Sequence, residues 1–211
     1  MIREYWTTVH LAGEELLEIT LPKRGDSLQQ IPVHAIWLAQ DDPKKNTVVR
    51  ASKRGDIIMH KRINTVPRKG FILEPLCGKV FGPEDHDTLL NKGGAIVGLD
   101  CSWAHIEESV AQVMKRTKLQ PRMLPLLLAA NPVNWGKPSR LTTAEALATI
   151  LFLIGREQQA RQVLGAFRWG ERFFELNKEP LEAYAAAKSS AELVSLQFEF
   201  FDIDKSLVES N

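Results

Sequence analysis

Three stretches of this 211-residue chain combine residue types that can do chemistry. The first is Leu99-Asp100-Cys101-Ser102-Trp103, an apolar run that ends in a carboxylate, a thiol, a hydroxyl and an indole. A carboxylate there can hold a cationic group of a ligand, and an indole can stack on a ring or cover an apolar moiety. The same residues serve equally well as structure, with Asp100 capping a following helix and Trp103 packing into the core. The second stretch is Arg122 to Pro138, apolar from Met123 to Ala130 and then dense in Pro, Asn and Gly. Proline and turn residues restrict the chain, so such a segment presents backbone amides and carbonyls at fixed positions, suited to reading an adenine edge or a ribose. An elaborate linker between domains would look the same. The third, Asp41-Asp42-Pro43-Lys44-Lys45-Asn46-Thr47, reads by itself as a basic turn. Its interest is its place at the end of a strand, on the rim that the first stretch would share in a parallel sheet.

Several chemistries are absent. There is no Gly-x-x-x-x-Gly-Lys-Ser/Thr loop, no Gly-x-Gly-x-x-Gly turn after a strand and no Gly-x-Ser-x-Gly elbow. A nucleotide P-loop, an ordinary dinucleotide site and an α/β-hydrolase nucleophile are thereby excluded. His10, His34, His60, His86 and His105 show no paired ligand spacing, so no metal site is expected. Cys77 and Cys101 cannot build a disulfide framework or a four-ligand zinc site, and free thiols suit a reducing cytosol. The longest apolar runs, 123–133 and 146–154, fall far short of the ~20 residues that cross a bilayer, and the N-terminus lacks a signal-peptide stretch. A cytoplasmic protein without a membrane partner is expected.

The elements that must position these stretches alternate through the first half. Val33–Leu38 reads as a short buried strand ended by Asp41-Asp42-Pro43, and Gly70–Leu73 as another. Glu84–Asn91 reads as a helix stopped by Gly93 and Gly94. Ala95–Leu99 is apolar on both faces, as a strand inside a parallel sheet is, and Ala104–Lys118 has helical spacing. Strand–helix alternation of this kind predicts an α/β fold, a parallel sheet with crossover helices. From residue 122 the pattern becomes all-α. Thr142 and Glu145 form a capping box for a helix running to Gly155. Helices at Gln158–Phe167 and from Pro180 to about Phe198 follow. The division expected is an N-terminal extension over 1–31, an α/β domain over 32–121 and an all-α domain over 122–205.

Composition is ordinary for a globular chain, 44% hydrophobic and 25% charged, which excludes disordered and fibrous classes. The formal net charge of +1 hides an asymmetry. Lys44–Lys69 carries +8, Lys115–Arg140 carries +6 without a single acid, and the chain from Glu171 onward carries −5. Two basic segments beside an acidic tail point to a face that meets a polyanion. Two solvated lysine-rich loops are the plainer alternative.

Taken together, Asp42-Pro43-Lys44-Lys45-Asn46-Thr47, the Asp100-Cys101-Ser102-Trp103 box, Leu124-Pro125 with Ala129-Ala130-Asn131-Pro132-Val133-Asn134-Trp135-Gly136, and Leu141-Thr142-Thr143-Ala144-Glu145-Ala146 resemble the small-subunit ribosomal RNA aminocarboxypropyltransferase family. The resemblance runs in order from about residue 33 to 185. It implies a fold related to the knotted SPOUT methyltransferases, which hold S-adenosylmethionine in loops rather than on a glycine turn. It implies transfer of the 3-amino-3-carboxypropyl group of that donor to a hypermodified pseudouridine of rRNA. Carried over residue by residue, the donor would sit against Thr47, Leu99, Asp100, Trp103, Leu124, Ser139 and Thr143. Asp100, the one residue given a catalytic part, would hold the amino group of the transferred chain, and Trp103 would help seat it. The family usually has cysteine where Asn46 stands and often tyrosine where Trp135 stands. The rRNA partner would lie along Lys44–Lys69 and Lys115–Arg140, with the protein a monomer. Two rivals share these features: a SPOUT-type RNA methyltransferase using the same donor, and a non-catalytic rRNA-binding assembly factor.

Overall fold

Five parallel strands carry the molecule: β1 (Val33–Trp37), β2 (Ile58–His60), β3 (Gly70–Leu73), β4 (Ala95–Asp100) and β5 (Gln120–Arg122), in the order β2-β1-β4-β3-β5. The computed structural model describes residues 30–40, 42–43, 46–102 and 105–202, so nearly all of the N-terminal extension and Trp103 lie outside it. The helices are α1 (Thr47–Lys53), α2 (Pro83–Leu90), α3 (Ile106–Met114), α4 (Thr143–Leu153), α5 (Glu157–Leu164), α6 (Gly170–Leu176), α7 (Lys178–Ala186) and α8 (Ser190–Phe200).

Strand periodicity sorts the side chains onto two faces. Val33, Ala35, Phe71 and Ile96 turn to one side and bury with Val48 of α1, Leu89 of α2 and Leu147 and Leu151 of α4. Ile36, Ile72 and Val97 turn to the other and bury with Val113 of α3 and Leu119. Both faces being covered explains why the central strands read as unbroken apolar runs. The larger cluster also takes in Phe173, Leu181 and Leu193, so sheet and C-terminal helices share one core. Beyond β5 the described elements are helices, with isolated bridges at Val80–Met123 and Leu128–Pro138.

The α/β parallel sheet with crossover helices is as expected, and the differences are local. The segment read as a basic turn leads directly into a helix, because Asn46 is the N-cap of α1 and Thr47 its first residue. The helix expected over 104–118 ends at Met114, after which buried Leu119 leads the chain into β5. This strand pairs with β3 alone, and an edge position tolerates Pro121, which has no N–H to donate. The helix expected from Pro180 to Phe198 is two. Ala187 is extended (ψ 142°) and Ser189 caps α8 through its side chain, accepting from Glu192 N at 3.1 Å. Pro180 sits in the first turn of α7, where a missing N–H costs nothing. Strand β2 and helix α6 were not legible: both are short, and their packing against β1 and the helical core decides them.

Among the described residues no helix is long and apolar enough to cross a membrane, and no group of three or more His, Cys, Asp or Glu side chains is placed to hold a metal ion.

Candidate active site

Strand β4 ends at Asp100, whose buried carboxylate joins two helix starts. Asn46 Nδ2 donates to Asp100 Oδ2 at 2.6 Å, and Thr143 Oγ1 donates to Oδ1 at 3.0 Å. Asn46 is the N-cap of α1: its Oδ1 accepts from Val49 N at 3.0 Å while its amide nitrogen reaches the aspartate. Thr143 is the first residue of α4. Donors to a carboxylate make stronger, better-directed bonds than neutral pairs, so the two helices fix the acid's orientation. The N-cap position of α3 is His105, which makes no side-chain capping bond. Helix α4 approaches this closely because β4 has glycine at 98. A Cβ there would lie 2.5 Å from Thr143 Cγ2 and 3.3 Å from Leu147 Cδ1.

The start of α4 also organises the loop before it. Thr142 and Glu145 make the capping box read from sequence. Glu145 is fully buried and accepts from more than its cap: Thr142 N and Oγ1, Ala130 N, Asn131 N and Asn131 Nδ2 all donate to it. Buried backbone N–H groups need partners, and one carboxylate supplies them for a turn that lacks regular structure. The preceding residues are served from the helical side. Leu126 N donates to Gln197 Oε1 and Tyr184 OH to Leu126 O. Asn177 takes Leu128 N on its oxygen and gives its amide to Leu128 O. The segment from Leu126 to Asn131 is thus held extended by side chains.

These pieces enclose an open cavity of about 820 Å³ at the carboxyl ends of β3, β4 and β5. Open α/β sheets bind ligands on that edge, and the volume suits a nucleoside-sized molecule. Thr47, Leu99, Asp100, Leu124, Ser139 and Thr143 all line it, so every described residue of the expected donor set converges on one space. Trp103 falls outside the described residues. Ser139 has φ +55°, a left-handed conformation unusual for serine, and it is held by Ser139 N donating to Leu127 O at 3.0 Å. Asn46, Glu74, Met123, Asn131 and Ala146 complete much of the wall.

Sequence reading gave no role to Asn46, which lies in the third stretch, and missed Asn177 and Gln197. Asn46 had a local signal, since asparagine before Thr-Val-Val is an acceptable N-cap. Asn177 and Gln197 had none, as their partners lie 49 and 71 residues away. The basic segments need correction too. Arg122 does not face solvent: its side chain is buried, bidentate to Asp85 at 2.7 Å and stacked over Phe71. Arg50 donates to Ala166 O and Arg54 to Gly165 O, binding α1 to the end of α5. Lys53, Lys61, Arg62, Arg68, Lys69, Lys115, Arg116, Lys118 and Lys137 remain exposed.

Known proteins match this arrangement closely. Residues 71–201 match the family described as "Ribosome biogenesis protein, C-terminal". The chain is 42% identical over 159 residues to a 16S rRNA aminocarboxypropyltransferase of Methanopyrus kandleri, covering 75% of this chain and 92% of that one. It is 40% identical over 169 residues to the protein of the same name in Methanosarcina mazei, covering 80% and 94%. Among solved structures, the SAM-dependent rRNA:acp-transferase Tsr3 of Vulcanisaeta distributa superposes with a TM-score of 0.72 at 33% identity, covering 85% of this chain and 97% of that one.

Proposed function

We infer the reaction from the family: the chain belongs to the 16S rRNA aminocarboxypropyltransferases, and it moves the 3-amino-3-carboxypropyl group of S-adenosylmethionine to small-subunit rRNA during ribosome maturation. The observation that carries this reading to the residues is the convergence of Thr47, Leu99, Leu124, Ser139 and Thr143 around Asp100 in one cavity. The acceptor is a hypermodified, N1-methylated pseudouridine. Its free ring nitrogen forms a bond to the chain's terminal methylene, the carbon–sulfur bond breaks with its pair going to sulfur, and the nitrogen's proton is released. 5′-Methylthioadenosine leaves.

The cavity fits the donor. A buried carboxylate already oriented by two hydrogen bonds suits the ammonium of the amino-acid chain, and Leu124, Met123 and Ala146 offer apolar wall to the adenine and the methyl group. The bound sulfonium activates three carbons for displacement, so position selects the product. Asp100, fixed from two sides, anchors the amino-acid arm at one place, and Thr47 and Thr143 line the path on either side of it. Holding reactants in a near-attack geometry can contribute roughly 7–11 kcal/mol at its upper limit. Asp100 acts by holding rather than by taking the proton, since a carboxylate engaged with an ammonium is a poor base. The family resemblance gives Trp103, three residues after Asp100 in the chain, a part in seating the transferred arm.

Other parts of the reading extend it. The chain leaves edge strand β5, runs through 123–142 and returns to pack α4 under central strand β4, the kind of crossing a SPOUT-like knot uses. Residues 32–121 form the sheet-bearing part and 122–205 the all-α part that completes the cofactor site, with 1–31 an extension. The exposed lysines and arginines of Lys44–Lys69 and Lys115–Arg140 meet the phosphates of an RNA loop, where base faces are accessible. The protein works as a cytoplasmic monomer.

Incubation with carboxyl-labelled S-adenosylmethionine and small-subunit RNA tests the reaction. Label in the RNA together with 5′-methylthioadenosine is expected. Unlabelled RNA with S-adenosylhomocysteine as by-product would instead identify a methyltransferase. Asp100→Asn should lose donor affinity and turnover together.

A further inference from the structure

Large apolar side chains are normally the first to be hidden, yet the loop between Asn131 and Ser139 holds two of them in solvent. Val133 is 83% exposed and Trp135 54% exposed. The loop is not loose. Asn134 N donates to Asn131 Oδ1 at 3.0 Å, Lys137 N to Asn134 O at 2.9 Å, and Gly136 N to Ala129 O at 2.8 Å. Its base is pinned by the buried Glu145 through Asn131, and its return by Leu128–Pro138 pairing and a left-handed Gly136 (φ +71°). A rigid frame therefore displays an indole and a branched aliphatic chain that the fold does not need for its core.

Their position says what they meet. Val133 and Asn134 line the cavity around Asp100, and Trp135 follows them in the chain. Across the same cavity, the β3–α2 loop presents Leu76, 57% exposed. Trp135 stands in a segment, 115–140, that has no acid, and exposed Lys137 follows it by two residues. An exposed indole beside positive charge near a cavity matches a nucleic-acid strand: a base for the ring, phosphates for the charge. An acidic protein partner would satisfy Lys137, but a nucleic-acid strand offers a flat π-face on every base beside its charges.

We propose that Trp135 is a stacking platform for an unpaired nucleobase of the substrate RNA, and sets the strand's path so that its neighbour enters the cavity. This rests on the rRNA acceptor argued above. The pre-formed loop makes the site inexpensive in ordering entropy, since backbone and ring are placed before the RNA arrives.

Binding of a small-subunit rRNA fragment containing a candidate target loop is measured for the full chain and for Trp135→Ala, Trp135→Tyr and Lys137→Ala, over a range of salt. Melting and S-adenosylmethionine affinity serve as controls. Stacking predicts that Trp135→Ala weakens RNA binding and raises the RNA KM by roughly five- to a hundredfold, with donor affinity and melting temperature unchanged. Trp135→Tyr should restore most of the loss. Removing a stack releases no counterion, so Trp135→Ala should keep the salt slope, whereas Lys137→Ala should lower it by about one. RNA affinity within twofold of the parent in Trp135→Ala overturns the proposal. So does a loss confined to donor affinity, or a shallower salt slope in that variant. Failure of the parent to transfer label while still binding RNA through Trp135 would strike the transfer reaction and leave the platform standing.

Discussion

At the residue scale, the site is a carboxylate whose orientation depends on an asparagine that also caps a helix. Asn46 spends its oxygen on Val49 N and its nitrogen on Asp100, so one side chain couples the start of α1 to the acid at the end of β4. Asn46→Ala should lower stability by about 1 kcal/mol through the lost cap and, in calorimetry, weaken S-adenosylmethionine binding. Asn46→Asp keeps the capping oxygen but sets a second carboxylate against Asp100. It should keep more stability than the alanine variant while binding the donor no better. A separate pair lies on β1 and β2. His34 Nδ1 and His60 Nε2 are 2.8 Å apart, and His60 Nδ1 is 2.8 Å from Thr65 Oγ1, which itself donates to Arg62 O. The directions follow: His60 Nδ1–H donates to Thr65, leaving its Nε2 to accept from His34 Nδ1–H. Burial, with the neighbouring His60 adding to it, draws His34 down to about 4, and burial lowers His60 too. Both rings stay neutral where an exposed histidine begins to protonate, near pH 6.5. Between about pH 6.5 and 4 the unfolded chain then binds more protons than the folded one, so stability falls as pH falls through that window. Urea unfolding at pH 7 and pH 5 should show the loss, and His34→Gln should flatten it; equal slopes in parent and variant would refute the assignment.

At the element scale, α4 matters most, because its first turn touches both Asp100 and the loop that carries Asn131. Its approach to β4 depends on a missing side chain. Gly98→Ala places a methyl into Thr143 and Leu147, and should cost about 1–3 kcal/mol as over-packing does. The more telling result is a fall in donor affinity larger than the stability loss explains, because a shifted α4 parts Thr143 from Asp100. Asn177→Ala, by contrast, leaves Leu128 N and O without their partner and should cost about 1–3 kcal/mol, read as a lower urea midpoint at unchanged m. The sequence showed α4 and its capping box plainly, since Thr142 and Glu145 lie three residues apart. It hid the break between α7 and α8, where Ala-Ala-Lys-Ser-Ser reads as helix and only Ser189 betrays a new start. It hid β5 as well, because Gln-Pro-Arg has no strand character of its own and is recruited by β3.

At the scale of the whole molecule, the cavity is walled from both sides of residue 121, by strand ends and α1 on one side and by 122–146 on the other. A ligand there ties the two parts together and should raise global stability. At a hundredfold excess over Kd, S-adenosylmethionine should add about 2.7 kcal/mol, or roughly 5–10 °C in melting temperature for a chain of this length. The shift reports binding to the folded chain, so Asp100→Asn should abolish it; an undiminished shift in that variant would place the donor outside this cavity.

Composition and strand–helix alternation were enough to determine an α/β protein with a parallel sheet, and pointed to its strand ends as the candidate site, because periodicity and turn residues are local properties. The motifs at 42–47, 99–103, 124–136 and 141–146 marked candidate site residues while leaving open whether Asp100 binds a ligand or caps a helix. Tertiary structure set the surroundings of that acid by bringing Asn46 and Thr143, 54 and 43 residues away, onto its two oxygens. It likewise withdrew Arg122 from the basic surface by giving it Asp85, 37 residues distant. Charge and hydrogen-bonding capacity are written in residue types. Which partner uses them depends on distance in space, and that is set only when the sheet and helices close on each other.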